Sequence, residues 1–129
     1  MSNEQLDKNK ELVAKLMHGL FEGENPPQNI DVIDELVHEN YIQHNPLAGQ
    51  GPEGLRNFVL EVMPKITPKS MIESRQLAVN LIAEGDFVVR QEVRTDWMLI
   101  DIFRVKDGLL IEHWDALRSD PGSERIGGF

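Results

Sequence analysis

The chain has 129 residues, of which 40% are hydrophobic and 27% are charged, and this composition fits one soluble globular domain. Its formal net charge of −9 argues against nucleic acid or an anionic membrane as a partner and favours a neutral, cationic or apolar small ligand. The sequence contains no cysteine, which excludes thiol nucleophiles and disulfides, and it shows no signal-peptide or membrane-spanning run, so we expect a cytoplasmic protein.

Helical spacing of apolar residues dominates the first half of the chain. It predicts a first helix over about residues 4 to 22. After a Pro-Pro break, Asn29 is expected to cap a short second helix, and a third helix is expected to begin at Gly51 and to end at Pro64. Residues 41 to 46, between the second and third helices, are predicted to form a short extended segment.

The second half of the chain alternates with a period of two residues. This pattern predicts four strands, at roughly 70 to 83, 86 to 94, 97 to 106 and 109 to 118. Helices followed by hairpin-linked strands indicate an α+β domain, in which a curved antiparallel sheet packs one face on its helices and encloses a pocket. We treat residues 1–129 as a single domain with a loose tail at 121–129.

Three ionisable residues lie on the last two predicted strands, namely Asp101, His113 and Asp115. Burying a charge is costly unless the charge is paired or used, so these residues on an apolar face are candidate catalytic groups. A carboxylate beside an imidazole fixes its tautomer and raises its basicity, as a general base near neutral pH requires. The structural alternative is an Asp–His pair that only satisfies itself. His44 is a candidate third polar group, at the rim of the pocket.

The turn between these strands decides which residues face one another. A three-residue turn, Lys106-Asp107-Gly108, would pair Val105 with Leu109 and set Asp101 opposite His113. A two-residue turn would instead set Asp101 opposite Trp114 and split the polar groups between the two faces. We prefer the three-residue turn, which leaves Asp101, His113 and Asp115 on one face.

Two stretches of the chain resemble the SnoaL-like branch of the nuclear-transport-factor-2-like superfamily. They are Tyr41-Ile42-Gln43-His44-Asn45-Pro46 followed by Gly51-Pro52-Glu53-Gly54-Leu55, and Asp101 to Gly108 running into Glu112-His113-Trp114-Asp115. The order of helices and strands agrees along nearly the whole chain. The resemblance implies a cone-shaped domain in which three helices close a curved antiparallel sheet around an apolar pocket. It also implies a homodimer formed through the outer face of that sheet.

The same resemblance implies a reaction type. SnoaL cyclases close polyketide rings by an intramolecular aldol reaction without a cofactor, with a pocket aspartate and histidine as acid and base. The matching positions in this chain are His44, Asp101, His113 and Asp115, and we expect Asp115 or His113 as base and His44 as donor to the enolate oxygen. The remaining substrate-binding positions are expected to be apolar or aromatic, namely Tyr41, Phe58, Trp97, Leu99 and Phe103.

The ligand is expected to be small. The connection between Arg94 and Trp97 is short, so Trp97 and Met98 are expected to fill space that a fused-ring polyketide would occupy. We therefore expect a cofactor-free lyase, isomerase or cyclase acting on a small carbonyl compound. The alternative of another class is a ligand-binding or dimerisation module, whose polar groups would all be hydrogen-bonded to one another.

Two further readings of the polar residues are possible. One is epoxide hydrolysis, which would need Arg90 or Arg104 between Asp101 and Asp115. A two-residue Thr95-Asp96 turn would place Arg90 opposite Asp101. The arginine could equally form a plain ion-pair network with the aspartate and histidine there.

A metal is the other possibility. An iron site of two histidines and one carboxylate would use His44 and the His113-x-Asp115 pair. A distal histidine usually follows such a pair, and the sequence has none after His113, so we expect neither a metal nor another cofactor.

Overall fold

The computed structural model describes residues 2–119, so the predicted tail at 121–129 lies outside the described residues. The helices are α1 (Asn3–Phe21), α2 (Val32–Leu36), α3 (Gly51–Asn57), α4 (Met63–Ile66) and α5 (Lys69–Glu73). The strands are β1 (Val37–Gln43), β2 (Gln76–Glu84), β3 (Phe87–Arg94), β4 (Trp97–Lys106) and β5 (Leu109–Ser119). Within residues 2–119, no helix combines the length and the apolar character that crossing a membrane requires.

Helix α1 forms as its sequence predicts. The Ser2 side chain caps it by accepting a hydrogen bond from the Gln5 backbone N–H at 3.1 Å. The helix then buries one apolar stripe against the sheet, formed by Val13, Leu16, Met17 and Leu20. The predicted first helix is therefore confirmed to within a residue at each end.

The third helix continues past Pro64, where we had placed its end. A π-helical turn at Phe58–Val62 joins α3 to α4, and Pro64 is the second residue of α4. Proline lacks a backbone N–H and its ring crowds the preceding turn, and the wider π-helical turn accommodates it there. Helix α5 then occupies residues that we had assigned to the start of a strand, and β2 begins only at Gln76.

The five strands form one sheet in the order β1-β5-β4-β3-β2. Strands β2 to β5 are antiparallel neighbours, as predicted, but β1 pairs in parallel with β5. The purely antiparallel sheet was therefore a wrong expectation. A parallel pair needs a long connection, and α3 to α5 with β2 to β4 supply it.

The β4–β5 hairpin has neither of the two registers that we weighed. Asp107 and Gly108 both have positive φ, at 54° and 75°, and form the two-residue turn that pairs Lys106 with Leu109. A bulge then leaves Ile111 without a partner, because Val105 pairs with Leu110 and Arg104 pairs with Glu112. The preferred three-residue turn is wrong.

The bulge restores the shared face that the three-residue turn was meant to provide. Beyond it, Phe103 pairs with His113 and Asp101 pairs with Asp115. The three candidate residues therefore lie on one face of the sheet. Leu110, which precedes the bulge, points into the core.

The helices cover only part of the inner face of the sheet. Along β4 and β5, Val105, Phe103 and Leu110 are buried in the core beneath the helices, whereas Leu117 near the end of β5 is 52% exposed. The core thus gives way to an open apolar end of the sheet. Asp101 and Asp115 lie at this boundary, and the predicted α+β architecture with helices packed on one face is confirmed.

Candidate functional site

A carboxylate, an imidazole and a second carboxylate meet on the inner face. His113 Nε2 lies 2.8 Å from Asp101 Oδ1 and 3.9 Å from Asp115 Oδ2. Asp101 and His113 are buried, at 4% and 7% exposure, whereas 23% of the Asp115 side chain is exposed. Asp115 is therefore the member of this cluster that a ligand can reach.

Strand β1 and the segment after it add two amide side chains that we had not singled out. Gln43 pairs with His113 in the parallel register, and its Oε1 lies 2.8 Å from His113 Nδ1. Asn45 donates a hydrogen bond from Nδ2 to Asp115 Oδ2 at 3.0 Å. The signal was present in the sequence, because strand alternation that turns Tyr41 inward also turns Gln43 and Asn45 inward.

Among residues 2–119, His113 is the hydrogen-bond partner of the Asp101 side chain. Its Oδ2 is buried and has no hydrogen-bond partner among residues 2–119. An unsatisfied buried acceptor costs about 1–3 kcal/mol, and more when it is charged. The Asp101 carboxylate therefore depends on the imidazole at Oδ1 for its compensation.

Tyr41 lies in the core beside the cluster and accepts a hydrogen bond from Gln43 Nε2 at 3.3 Å. Burial raises the pKa of Tyr41, the charge of Asp101 raises it further, and the hydrogen bond with Gln43 opposes this shift only in part. The phenol therefore remains protonated at neutral pH and keeps a hydrogen that it can donate.

His44 is not brought into the cluster. It lies on the outer side of the sheet, where its ring stacks on Trp114 at 4.8 Å and 4°, and its Nε2 lies 2.7 Å from Glu112 Oε2. Hydrogen bonds with His44 and then Arg104 outweigh desolvation and hold the pKa of Glu112 below its usual value. A side chain held there cannot donate to a substrate at Asp115, because neighbouring residues of an extended segment point to opposite faces.

The two arginines considered for epoxide hydrolysis are ion-paired elsewhere. Arg90 does pair with Asp101 in the β3–β4 register, as predicted. Its guanidinium, however, donates to Glu92 at 3.0 Å and to Glu22 at 3.2 Å. Arg104 bonds Glu112 on the outer side of the sheet. This geometry gives no support to water activation by an arginine between two aspartates.

The residues predicted to line the pocket divide into two groups. Tyr41 and Phe103 are buried in the core, with the Phe103 ring 4.6 Å from that of His113, and Phe58 packs against the same core. Leu99 and Trp97 lie towards the open end and are half-buried. The Trp97 indole donates to the Met71 carbonyl at 3.1 Å, which fixes Trp97 beside α5.

Met98 lies on the other face of the sheet, so it does not fill the pocket as we had expected. Its sulfur accepts a hydrogen bond from Gln91 Nε2 at 3.4 Å, and Gln91 belongs to the outer face of β3. Of the two bulky residues that follow the β3–β4 turn, only Trp97 lies on the inner face, at the open end of the sheet.

Among the described residues, this cluster is also the group whose side chains could offer several ligand atoms to one metal ion. Asp101, His113 and Asp115 each supply one such atom, and these atoms lie within 4.8 Å of one another. His44 is not part of the group, so the site of two histidines and one carboxylate does not form. The imidazole nitrogen that a metal would need is already hydrogen-bonded to Asp101.

Comparisons with known proteins agree on the family and the fold. Residues 18–113 match the SnoaL-like domain family. Similar solved structures include a candidate SnoaL-like polyketide cyclase from Jannaschia sp. CCS1, with 19% identity, a TM-score of 0.68, and coverage of 91% of this chain and 90% of that one.

Two further structures are a candidate polyketide cyclase from Acidithiobacillus ferrooxidans, with 16% identity, a TM-score of 0.63 and 91% coverage of both chains, and TsrD from Streptomyces laurentii. TsrD has 20% identity and a TM-score of 0.59, with coverage of 91% of this chain and 90% of its own. At these identities the likeness shows a common fold, the cone of the nuclear-transport-factor-2-like superfamily. The comparison with curated proteins found no match.

Proposed function

Because the chain belongs to the SnoaL-like domain family, we propose that it is a cofactor-free acid–base enzyme that acts on a small carbonyl compound. The reaction class is that of a lyase, isomerase or aldol-type cyclase. Two similar structures are candidate polyketide cyclases, which supports this class and leaves the substrate open.

The accessible position of Asp115 carries the proposal. It is the partly exposed member of a buried carboxylate–imidazole cluster, and it lies where the core gives way to the open apolar end of the sheet. An apolar site with a few converging polar groups is the usual setting for small-molecule chemistry. A bound carbonyl compound would lie on the apolar surface with its reacting carbon at Asp115.

The chemistry begins with removal of a proton alpha to the carbonyl. Asp115 takes the proton, the electron pair of the broken C–H bond forms the new C=C bond, and the π pair of the carbonyl group moves onto its oxygen. His113, held by Asp101, has its Nε2 3.9 Å from Asp115 Oδ2, and a positive charge on its ring would stabilise the negative charge that develops on the carbonyl oxygen. The enol or enolate then attacks an electrophilic carbon or is protonated again at another position.

The test follows hydrogen–deuterium exchange of alpha protons by NMR. A panel of small ketones and β-dicarbonyl compounds is incubated in D₂O with the protein and with Asp115→Asn. We expect catalysed exchange in the wild type and a loss of about 100-fold or more in the variant, since general-base catalysis contributes roughly 10²–10⁴-fold.

Asp107→Asn is the matched control, because Asp107 is an exposed carboxylate at the tip of the β4–β5 turn and asparagine tolerates its positive φ. This variant should exchange protons at the wild-type rate. Equal rates in Asp115→Asn and the wild type would refute the proposed base.

A ligand-binding module is the second candidate. This alternative is favoured because the polar side chains of the cluster bond one another. Both ring nitrogens of His113 are already hydrogen-bonded, to Gln43 and to Asp101. Compounds that shift the His113 signals without any catalysed exchange would identify the protein as a binding module.

We also propose a second copy of this chain as the partner of the outer sheet face. Apolar side chains are exposed there, with Ile42 at 40%, Ile82 at 61% and Phe87 at 41%, and the His44–Trp114 stack lies among them. An exposed apolar sheet face is a typical interaction surface.

A further inference from the structure

Three amide side chains, those of Gln43, Asn45 and Gln50, form a connected set beside the acid–base cluster, and we call this set the amide clamp. The Gln50 side chain accepts from the Gln43 backbone N–H at 2.8 Å and donates to the Gln43 carbonyl at 2.8 Å. These two bonds satisfy the backbone groups of Gln43 that a neighbouring strand would otherwise bond at the end of β1. The backbone that carries the Gln43 side chain is fixed by these two bonds.

The amide clamp identifies which Gln43 atom faces His113. The backbone N–H of Asn45 lies 3.0 Å from Gln43 Oε1, and a backbone N–H can only donate, so this atom is the amide oxygen. The same oxygen lies 2.8 Å from His113 Nδ1. Because a carbonyl oxygen accepts, His113 must carry a hydrogen on Nδ1.

That hydrogen determines the protonation of the other ring nitrogen. In a neutral imidazole with hydrogen on Nδ1, the Nε2 lone pair would face Asp101 Oδ1 at 2.8 Å, which places two acceptors against each other. A second proton in the Nε2–Oδ1 contact removes this conflict. His113 is then held as an imidazolium paired with the Asp101 carboxylate.

Asn45 has the opposite effect on Asp115. Its Oδ1 accepts from the Leu47 backbone N–H at 2.9 Å, which identifies the remaining amide atom as the nitrogen. This Nδ2 donates to Asp115 Oδ2 at 3.0 Å. A donor at a carboxylate oxygen favours the charged, proton-free form.

We propose that Gln43 and Asn45 are positioning residues: Gln43 keeps His113 as a cation beside the site, and Asn45 keeps Asp115 as the proton-free base. The assignment of these roles rests on the proposed function. One short segment of the chain thus accepts a hydrogen bond from His113, which favours a protonated ring, and donates one to Asp115, which favours a proton-free carboxylate.

The test reads the ring nitrogens of His113 directly, by ¹⁵N NMR at neutral pH. In the wild type, both nitrogens should resonate as N–H nitrogens. In Gln43→Leu, Nδ1 loses its acceptor, so the ring should become neutral, with Nδ1 unprotonated and Nε2–H donating to Asp101. Gln43→Glu supplies a carboxylate acceptor at the same place and should restore the wild-type pattern.

Asn45→Ala is the matched control, because it keeps the backbone N–H that orients Gln43. Its His113 ¹⁵N signals should equal those of the wild type. Catalysed proton exchange should fall at least ~10-fold, because Asp115 loses the hydrogen bond from Asn45 that holds its carboxylate. An unprotonated Nδ1 in the wild type, or two N–H nitrogens in a folded Gln43→Leu, would overturn the proposal. The ring nitrogens report on the clamp even if no compound undergoes exchange, so the two proposals fail separately.

Discussion

Asp101 and Asp115 face each other directly across β4 and β5. Two free carboxylates in such a position would repel each other. His113 Nε2 lies near both of them, at 2.8 and 3.9 Å, and an imidazolium there compensates both charges. The three residues act as one unit, so we expect the effects of replacing them singly to be strongly non-additive.

The phenol of Tyr41 provides a spectroscopic prediction, because the chain contains a single tyrosine. Burial and then the charge of Asp101 raise the pKa of Tyr41 above its ordinary value of 10.0. The folded protein therefore holds this proton more tightly than the unfolded chain. The stability that this contributes is complete below the ordinary pKa and is lost as pH rises towards the folded one.

We expect tyrosinate absorbance to appear only together with alkaline unfolding, followed in parallel by circular dichroism. In urea, the same tyrosine should ionise near its ordinary pKa of about 10. Tyr41→Phe should make unfolding less dependent on alkaline pH. Formation of tyrosinate at the ordinary pKa in a protein that is still folded would contradict the burial of this group.

Three of the five polar residues of the cluster were predicted from the sequence for a definable reason. His113 and Asp115 are two residues apart on β5, so their shared face follows from alternation, whereas the face of Asp101 on β4 depends on the register of the hairpin. His44 was assigned by its chemistry alone, and alternation in β1 and the segment after it places it on the other face. Gln43 and Asn45 were missed because amides are common in turns for local reasons, and their partners become visible only in the parallel register with β5.

The β4–β5 hairpin shows what a local pattern cannot determine. The Asp107-Gly108 turn is readable from the sequence, but a bulge depends on tertiary packing. Leu110 and Ile111 are both buried although they are successive residues, and the bulge interrupts the alternation between them. The shared face was therefore predicted correctly from a register that does not form.

An ion-pair network joins α1 to β3 and yields a prediction about acid stability. Arg90 is buried and bonds Glu22, the residue after α1, as well as Glu92, which also accepts from Arg94 at 2.7 Å. Burial raises the pKa of Glu92, but the hydrogen bonds from Arg90 and Arg94 outweigh it, so the pKa lies below the usual 4.5. The resulting stability is present above that usual value and is lost as pH falls through the folded pKa.

Glu92→Gln should therefore lower the free energy of unfolding by about 1–3 kcal/mol at neutral pH. The difference from the wild type should shrink in acid, where Glu92 is protonated in both states. Urea unfolding at both pH values measures this. Glu84→Gln, an exposed residue at the end of β2, is the control and should change little. A difference that is the same at both pH values would show that the charge is not responsible.

Exposed apolar groups lie on both sides of the sheet, and the two sides differ in kind. The inner open end adjoins the acid–base cluster, with Leu117 at 52% exposure beside the half-buried Leu99. The outer face is a broad shallow surface around Ile82, Phe87 and Trp114, and its ionisable groups His44, Glu112 and Arg104 are bonded to one another. We therefore expect a small ligand at the first surface and a second copy of the chain at the second.

Ile82→Asp tests this assignment, because Ile82 is 61% exposed and a charge there costs a monomer little. In a two-fold symmetric dimer the substitution enters the interface twice, so we expect the dimer to dissociate more than tenfold more readily, which corresponds to about 1.4 kcal/mol. Sedimentation equilibrium over a range of concentrations measures the dissociation. Ile72→Asp, at a residue of α5 with 68% exposure, is the control and should associate like the wild type. A wild type that remains monomeric at every concentration would contradict the proposed dimer. A dimer that tolerates Ile82→Asp but not Ile72→Asp would place the contact on the helical side of the sheet.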